Sequence, residues 1–252
     1  FAADSVNKFA EFESSLKGIE AVLKPTTKEF AALESEAKKL GRTTKFSARE
    51  AASAIEVLAK NGVKTDKILG GMLESSLKLS ASLGADLAQS ADVLTDAMSV
   101  FALEGDKAAA VVDSINSVAI NSKFGFEDYA KALASGGASA VAAGQTFEEF
   151  NEVITATASF FDSGETAGTA YKVFIDRLVP SSDAAVAAQK KLGLSVFEAN
   201  GQLKDTALIA GQLDRGLEKL SEQERIKSLT DLFGTRGKNF AVALARAGEA
   251  GV

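Results

Sequence analysis

The chain of 252 residues has no cysteine and no histidine. Their absence removes thiol nucleophiles, Ser-His and Cys-His dyads, thiolate and imidazole zinc sites, and any disulfide framework. Tryptophan is also missing, and there are only 2 prolines and 2 tyrosines. No apolar run approaches the ~20 residues that span a bilayer, and the start has no signal-peptide pattern. The chain opens at Phe1 and reads as an excerpt of a longer protein. Basic residues number 28 against 34 acidic ones, a net charge of -6. That balance argues against binding a nucleic-acid backbone, which takes a basic stripe that releases counterions.

What is present is apolar and helical. Hydrophobic residues make up 46% of the chain, enough to build a core. Val6, Phe9, Phe12, Leu16, Ile19 and Leu23 recur every three or four residues, one apolar stripe that Pro25 ends. Thr26 with Glu29, Ser47 with Glu50, Thr146 with Glu149 and Ser221 with Glu224 have capping-box spacing. Gly41, Gly62, Gly84, Gly105 and Gly234 stand where helices are expected to stop. Helices of ~12 to 20 residues with short breaks predict an all-α fold, a multi-helix bundle with antiparallel neighbours. One small β-hairpin is expected at 195–204, around a type I′ turn at Asn200-Gly201.

Three parts are expected. Residues 1–40 hold N-terminal helices, 41–180 the helical core, and 181–252 a C-terminal helical part with the hairpin. A weak internal duplication pairs 45–62 with 123–144. Lys45-Phe46-Ser47 opens one copy and Lys123-Phe124-Gly125 the other.

Candidate chemistry is sparse. Between 79 and 122, Lys107 is the lone basic residue among Asp86, Asp92, Asp96, Glu104, Asp106 and Asp113. These read as a solvated face with acidic helix starts, with a cation site or acidic docking face as the alternative. Asp92 with Asp96 and Glu148 with Glu152 sit one turn apart, as solvent-facing pairs on amphipathic helices do. Gly234-Thr235-Arg236-Gly237-Lys238-Asn239 lacks both the glycine spacing and the hydroxyl of a phosphate loop. No catalytic, cofactor-binding or metal residue is assigned, and no enzyme activity or cofactor is expected.

The most unusual stretch is small. Gly136, Ala140 and Gly144 stand four apart on one helical face, with Gly137 beside them, and Gly164 and Gly168 repeat the spacing. Small residues in that pattern let two backbones approach closely. These six are the candidate helix-packing residues, within one chain or between subunits. Phe147, Phe150, Phe160, Phe161 and Phe174 read as core.

In order, these segments resemble the core region of the phage minor tail, or tape measure, family. The likeness starts at Leu40-Gly41-Arg42-Thr43-Thr44-Lys45-Phe46-Ser47 and runs on to Leu58-Ala59-Lys60-Asn61-Gly62. It continues through Ser82-Leu83-Gly84-Ala85-Asp86-Leu87 and Ala91-Asp92-Val93-Leu94. Asp113, Asn121, Phe126, Asp128, Gly144, Phe147, Ala167-Gly168-Thr169-Ala170 and Leu178-Val179-Pro180 follow, then Leu192-Gly193-Leu194 and Asp231-Leu232-Phe233-Gly234. Together they cover about residues 38 to 240. The chain departs at Phe101-Ala102-Leu103, where the family pattern has glycine in the middle, and at Ser135-Gly136-Gly137-Ala138.

The resemblance implies a non-enzymatic structural component that sets tail length in the tail tube and leaves ahead of the DNA. It implies a homo-oligomer, commonly three copies, with the tail tube protein and the tail tip or baseplate hub as partners. Its place would be the virion tail, lumen or tip, after assembly in the host cytoplasm. No sequence-specific nucleic-acid binding is expected, and membrane contact only after ejection. Two other readings stay open: a membrane-active helical protein aiding DNA passage through the envelope, and a carboxylate-dependent cell-wall hydrolase.

Overall fold

A computed structural model describes the backbone of residues 2–249 and the side chains of 10–248. The elements are α1 (Ala2–Leu23), α2 (Thr27–Thr43), α3 (Ala48–Lys60), α4 (Thr65–Lys67), α5 (Leu73–Leu83), α6 (Leu87–Val100), α7 (Ala108–Asn121), α8 (Phe126–Ala142), α9 (Phe147–Thr157), α10 (Gly164–Asp176), α11 (Asp183–Lys191), α12 (Thr206–Glu218) and α13 (Glu222–Glu249). The fold is all-α, as the apolar period requires. Its contacts divide into two compact units, Phe1–Asn116 and Ser117–Val252.

The first unit is built on α3, which packs against α1, α2, α5 and α6. Ala51, Ala52, Ala54, Ile55, Leu58 and Ala59 of α3 are all buried, and alanine is what lets several helices crowd around one. Phe12, Leu16 and Ile19 supply the buried stripe of α1. The side chains of Val6 and Phe9, expected on the same stripe, lie outside those described. The helix starts are set by reciprocal capping: Thr26 with Glu29 for α2 and Ser47 with Glu50 for α3. Gly41 does not end α2, which runs to Thr43. A Cβ at Gly41 would lie 2.5 Å from the Ala48 amide nitrogen, so glycine serves there for close approach.

In the second unit α10 packs on α8 and α13, and α13 also receives α9, α11 and α12. Tyr129, Tyr171, Phe124, Phe147, Phe150, Phe174, Phe233 and Phe240 are its largest fully buried side chains. Phe160 is half-exposed, unlike the rest of the expected aromatic core, because the chain leaves α9 through a short 3-10 turn there. Val141, expected on the inner stripe of α8, is exposed as well.

The expected hairpin reduces to a single antiparallel bridge between Phe197 and Leu203. Gly201 has φ 83, whereas Lys24 and Ala102 are the positive-φ non-glycine residues among those described. Asn200 therefore cannot occupy a type I′ position, which needs positive φ at both central residues. The loop is the three-residue form, Ala199-Asn200-Gly201. In it the Gly201 amide donates to the Glu198 carbonyl (3.0 Å) and the Glu198 amide to the Gln202 carbonyl (2.8 Å).

Candidate functional site

α8 and α10 meet in a close seam lined by glycine. A Cβ at Gly164 would fall 1.7 Å from the Asp128 carbonyl oxygen, and one at Gly168 would fall 2.5 Å from that of Ala132. One at Gly136 would meet the Tyr171 ring at 3.1 Å and the Gly168 carbonyl at 3.2 Å. The partners advance together along both helices, so α8 and α10 run parallel. The two are not consecutive, since α9 lies between them in the chain. The carboxylate of Asp128 fixes the register by accepting from the Gly164 amide (2.9 Å) at the start of α10. Ser163 caps the same start through the Thr166 amide.

Of the six small residues singled out, Gly136, Gly137, Ala140, Gly164 and Gly168 are buried. Gly144 is exposed and has a different task. It stands at φ 80, donating to the Val141 carbonyl while the next amide, of Gln145, donates to that of Ala140. These two bonds are the Schellman end of α8.

Sequence reasoning missed the polar chain beneath the seam. The Tyr171 hydroxyl donates to the Gln145 side-chain carbonyl, and the Gln145 amide nitrogen donates to the Thr206 hydroxyl at 2.6 Å. All three are buried, tying α10 to the end of α8 and the start of α12. Tyr129 makes a second buried link, donating to Asn151 at 3.0 Å. Burial pushes both phenols far above their usual range, so they stay neutral donors. No spacing links Gln145 to Thr206; a glutamine directly after a helix-ending glycine is the only local hint. Around Tyr171 the rings of Phe150 (5.5 Å) and Phe240 (5.3 Å) stand edge-on.

The acidic stretch does not converge. Asp86 caps α6 through the Gln89 amide, and Asp92 accepts from the Asn61 side chain at 2.8 Å. Partial desolvation, then the Asp92 carboxylate one turn away, raises Asp96 above the usual range. Among the described residues no group of three or more acidic side chains is placed to hold a metal ion. Glu148 and Glu152 are exposed. In Gly234-Thr235-Arg236-Gly237 the backbone leaves helical geometry at Gly234, between two helical segments.

Fold and site thus define an all-helical chain whose most developed feature is a packing seam. The model of the phage-related minor tail protein family matches residues 34–234, and the chain belongs to that family. It is 29% identical over 248 residues to the tape measure protein of Pneumococcus phage Dp-1, covering 98% of this chain and 22% of that protein. It is 26% identical over 246 residues to the probable tape measure protein of Escherichia phage P2, covering 97% of this chain and 30% of that one. The chain therefore spans less than a third of the length of these relatives. No solved structure matches it.

Proposed function

We propose that this chain is the tape-measure segment of a phage tail, a non-enzymatic helical component that helps set tail length and is released for DNA ejection. The observation that carries the reading is the likeness to two tape measure proteins over 98% and 97% of the chain. It acts as a homo-oligomer, three copies side by side, in contact with the tail tube protein and the tip or baseplate hub. Its place is the tail, lumen or tip, after assembly in the host cytoplasm. Residues 41–180 form its core. The duplication of 45–62 and 123–144 is supported by buried Phe46 and Phe124 at matching positions, one in each compact unit.

The test is tail length by electron microscopy after in-frame deletion of residues 40–240 from the parent gene. Tails shorter by about 300 Å mean that the segment lies along the tube as helix, at ~1.5 Å per residue. A much smaller shortening means a folded segment with a radius of gyration of ~18 Å. Tails of unchanged length sink the ruler role.

A further inference from the structure

The chain holds two Asn-Gly pairs, Asn61-Gly62 and Asn200-Gly201. In such a pair no side chain shields the glycine amide nitrogen, which can attack the asparagine side-chain carbonyl. The fold puts the two pairs in opposite settings. Asn200 is the middle residue of the loop Ala199-Asn200-Gly201, and residues 197–202 are all exposed. The bonds holding that loop are local, so opening it costs little. The Gln202 amide donates to the Asn200 side-chain oxygen at 3.0 Å. This bond polarises the carbonyl and faces the atom on which negative charge develops during attack. The Asn200 amide nitrogen donates to the Gln202 side chain (2.6 Å), two residues on.

Asn61 is held the other way round. Its amide nitrogen, the group that has to leave, donates to the Asp92 carboxylate (2.8 Å) and the Thr95 hydroxyl (2.6 Å), both on α6. Its side-chain oxygen accepts no hydrogen bond among the described residues. The Gly62 amide donates to the Ala59 carbonyl and the next amide, of Val63, to that of Leu58, closing α3. Reaction there takes breaking a bond to a charged group and opening the end of a buried helix.

We propose that Asn200, and not Asn61, is a site of spontaneous modification to aspartate and isoaspartate, with water as the co-reactant. The Gly201 nitrogen loses its proton and bonds to Asn200 Cγ. The Cγ–Nδ2 bond breaks, and Nδ2 takes up one proton and departs as ammonia, leaving a cyclic imide. Water then opens the ring. Addition at the former side-chain carbonyl gives aspartate, and addition at the main-chain carbonyl gives isoaspartate, whose main chain is one carbon longer. Either product adds one negative charge to a net of -6. Isoaspartate also lengthens the loop that closes the Phe197–Leu203 bridge.

The full chain is incubated in mildly alkaline buffer, folded in one sample and unfolded by urea in another, with an unincubated sample as background. Trypsin then releases residues 192–204, in which Asn200 is the sole asparagine, and residues 61–64, which begin with Asn61. Mass spectrometry reads the change from amide to acid, and an isoaspartyl methyltransferase reads the isoaspartate. In the folded chain Asn200 is expected to convert at least about tenfold faster than Asn61, and in urea the two rates converge. Asp92→Ala raises the Asn61 rate several-fold in the folded chain and leaves that of Asn200 unchanged. Asn200 kept as the amide in the folded chain, or Asn61 converting as fast, overturns the proposal. An unchanged Asn61 rate in a folded Asp92→Ala chain overturns the protection assigned to that carboxylate.

Discussion

Ala102 stands where glycine stands at three other helix ends. Gly62, Gly144 and Gly193 have φ of 83, 80 and 67 and each closes its helix with the paired bonds of a Schellman end. Ala102 does the same for α6 at φ 50: its amide donates to Ser99, and that of Leu103 donates to Met98 at 2.8 Å. A Cβ in the left-handed region costs about 1–2 kcal/mol, and glycine gives back part of that through unfolded-chain entropy. Ala102→Gly is therefore expected to stabilise the chain by about 0.5–1 kcal/mol, read as a higher urea midpoint at unchanged slope. The departure from the family pattern was legible in the sequence; its strain was not, because only φ reveals it.

A second residue gives a pH signature. Lys191 donates to Glu224 at 2.8 Å, and this bond, followed by those from the hydroxyl and amide of Ser221, lowers the Glu224 carboxyl to about 2. A carboxyl depressed in the folded state adds stability above its unfolded value of ~4.3 and loses it as pH falls through the folded one. Glu224→Gln should thus lower the melting temperature slightly at neutral pH, with the gap closing between about pH 5 and pH 2. Both groups are about half-exposed, so the gap shrinks in high salt.

At the scale of elements, the seam of α8 and α10 grades its own tolerance. Gly164→Ala places a methyl onto the Asp128 carbonyl and Gly168→Ala onto that of Ala132, backbone that cannot yield without moving a helix. Each is expected to cost about 3 kcal/mol or more, Gly164 the most. Gly136→Ala meets its contacts at 3.1 Å or beyond and is expected to cost about 1 kcal/mol. Gly144→Ala faces open space, so its cost of about 1 kcal/mol is backbone strain alone. Urea unfolding of the four variants checks the order, and equal effects at Gly144 and Gly164 would contradict the seam. The spacing of small residues marked α8 and α10 as close-packing helices. What sequence could not give was their pairing and parallel direction, which depend on where α9 turns the chain. Nor could it find Gln145, whose partners come from Tyr171 and Thr206, far along the chain.

At the scale of the molecule, the seam constrains how copies meet. Gly136, Gly164 and Gly168 are filled by contacts within one chain, which leaves exposed surfaces for any contact between copies. Large apolar residues do stand out from the surface, with Ile120 at 73%, Val179 and Ile226 at 63% and Leu208 at 57% exposure. Single exposed apolar residues are ordinary on any protein; self-association therefore has to be measured. At 26.1 kDa per chain, three copies amount to about 78 kDa, which sedimentation equilibrium separates clearly from a monomer. The expected outcome is a concentration-dependent shift towards that mass. Gly168→Ala lowers unfolding stability without dissociating the oligomer while the chain stays folded. Loss of association in a still-folded Gly168→Ala chain would put the seam between copies. A monomer at every concentration would take self-association out of the reading for this segment.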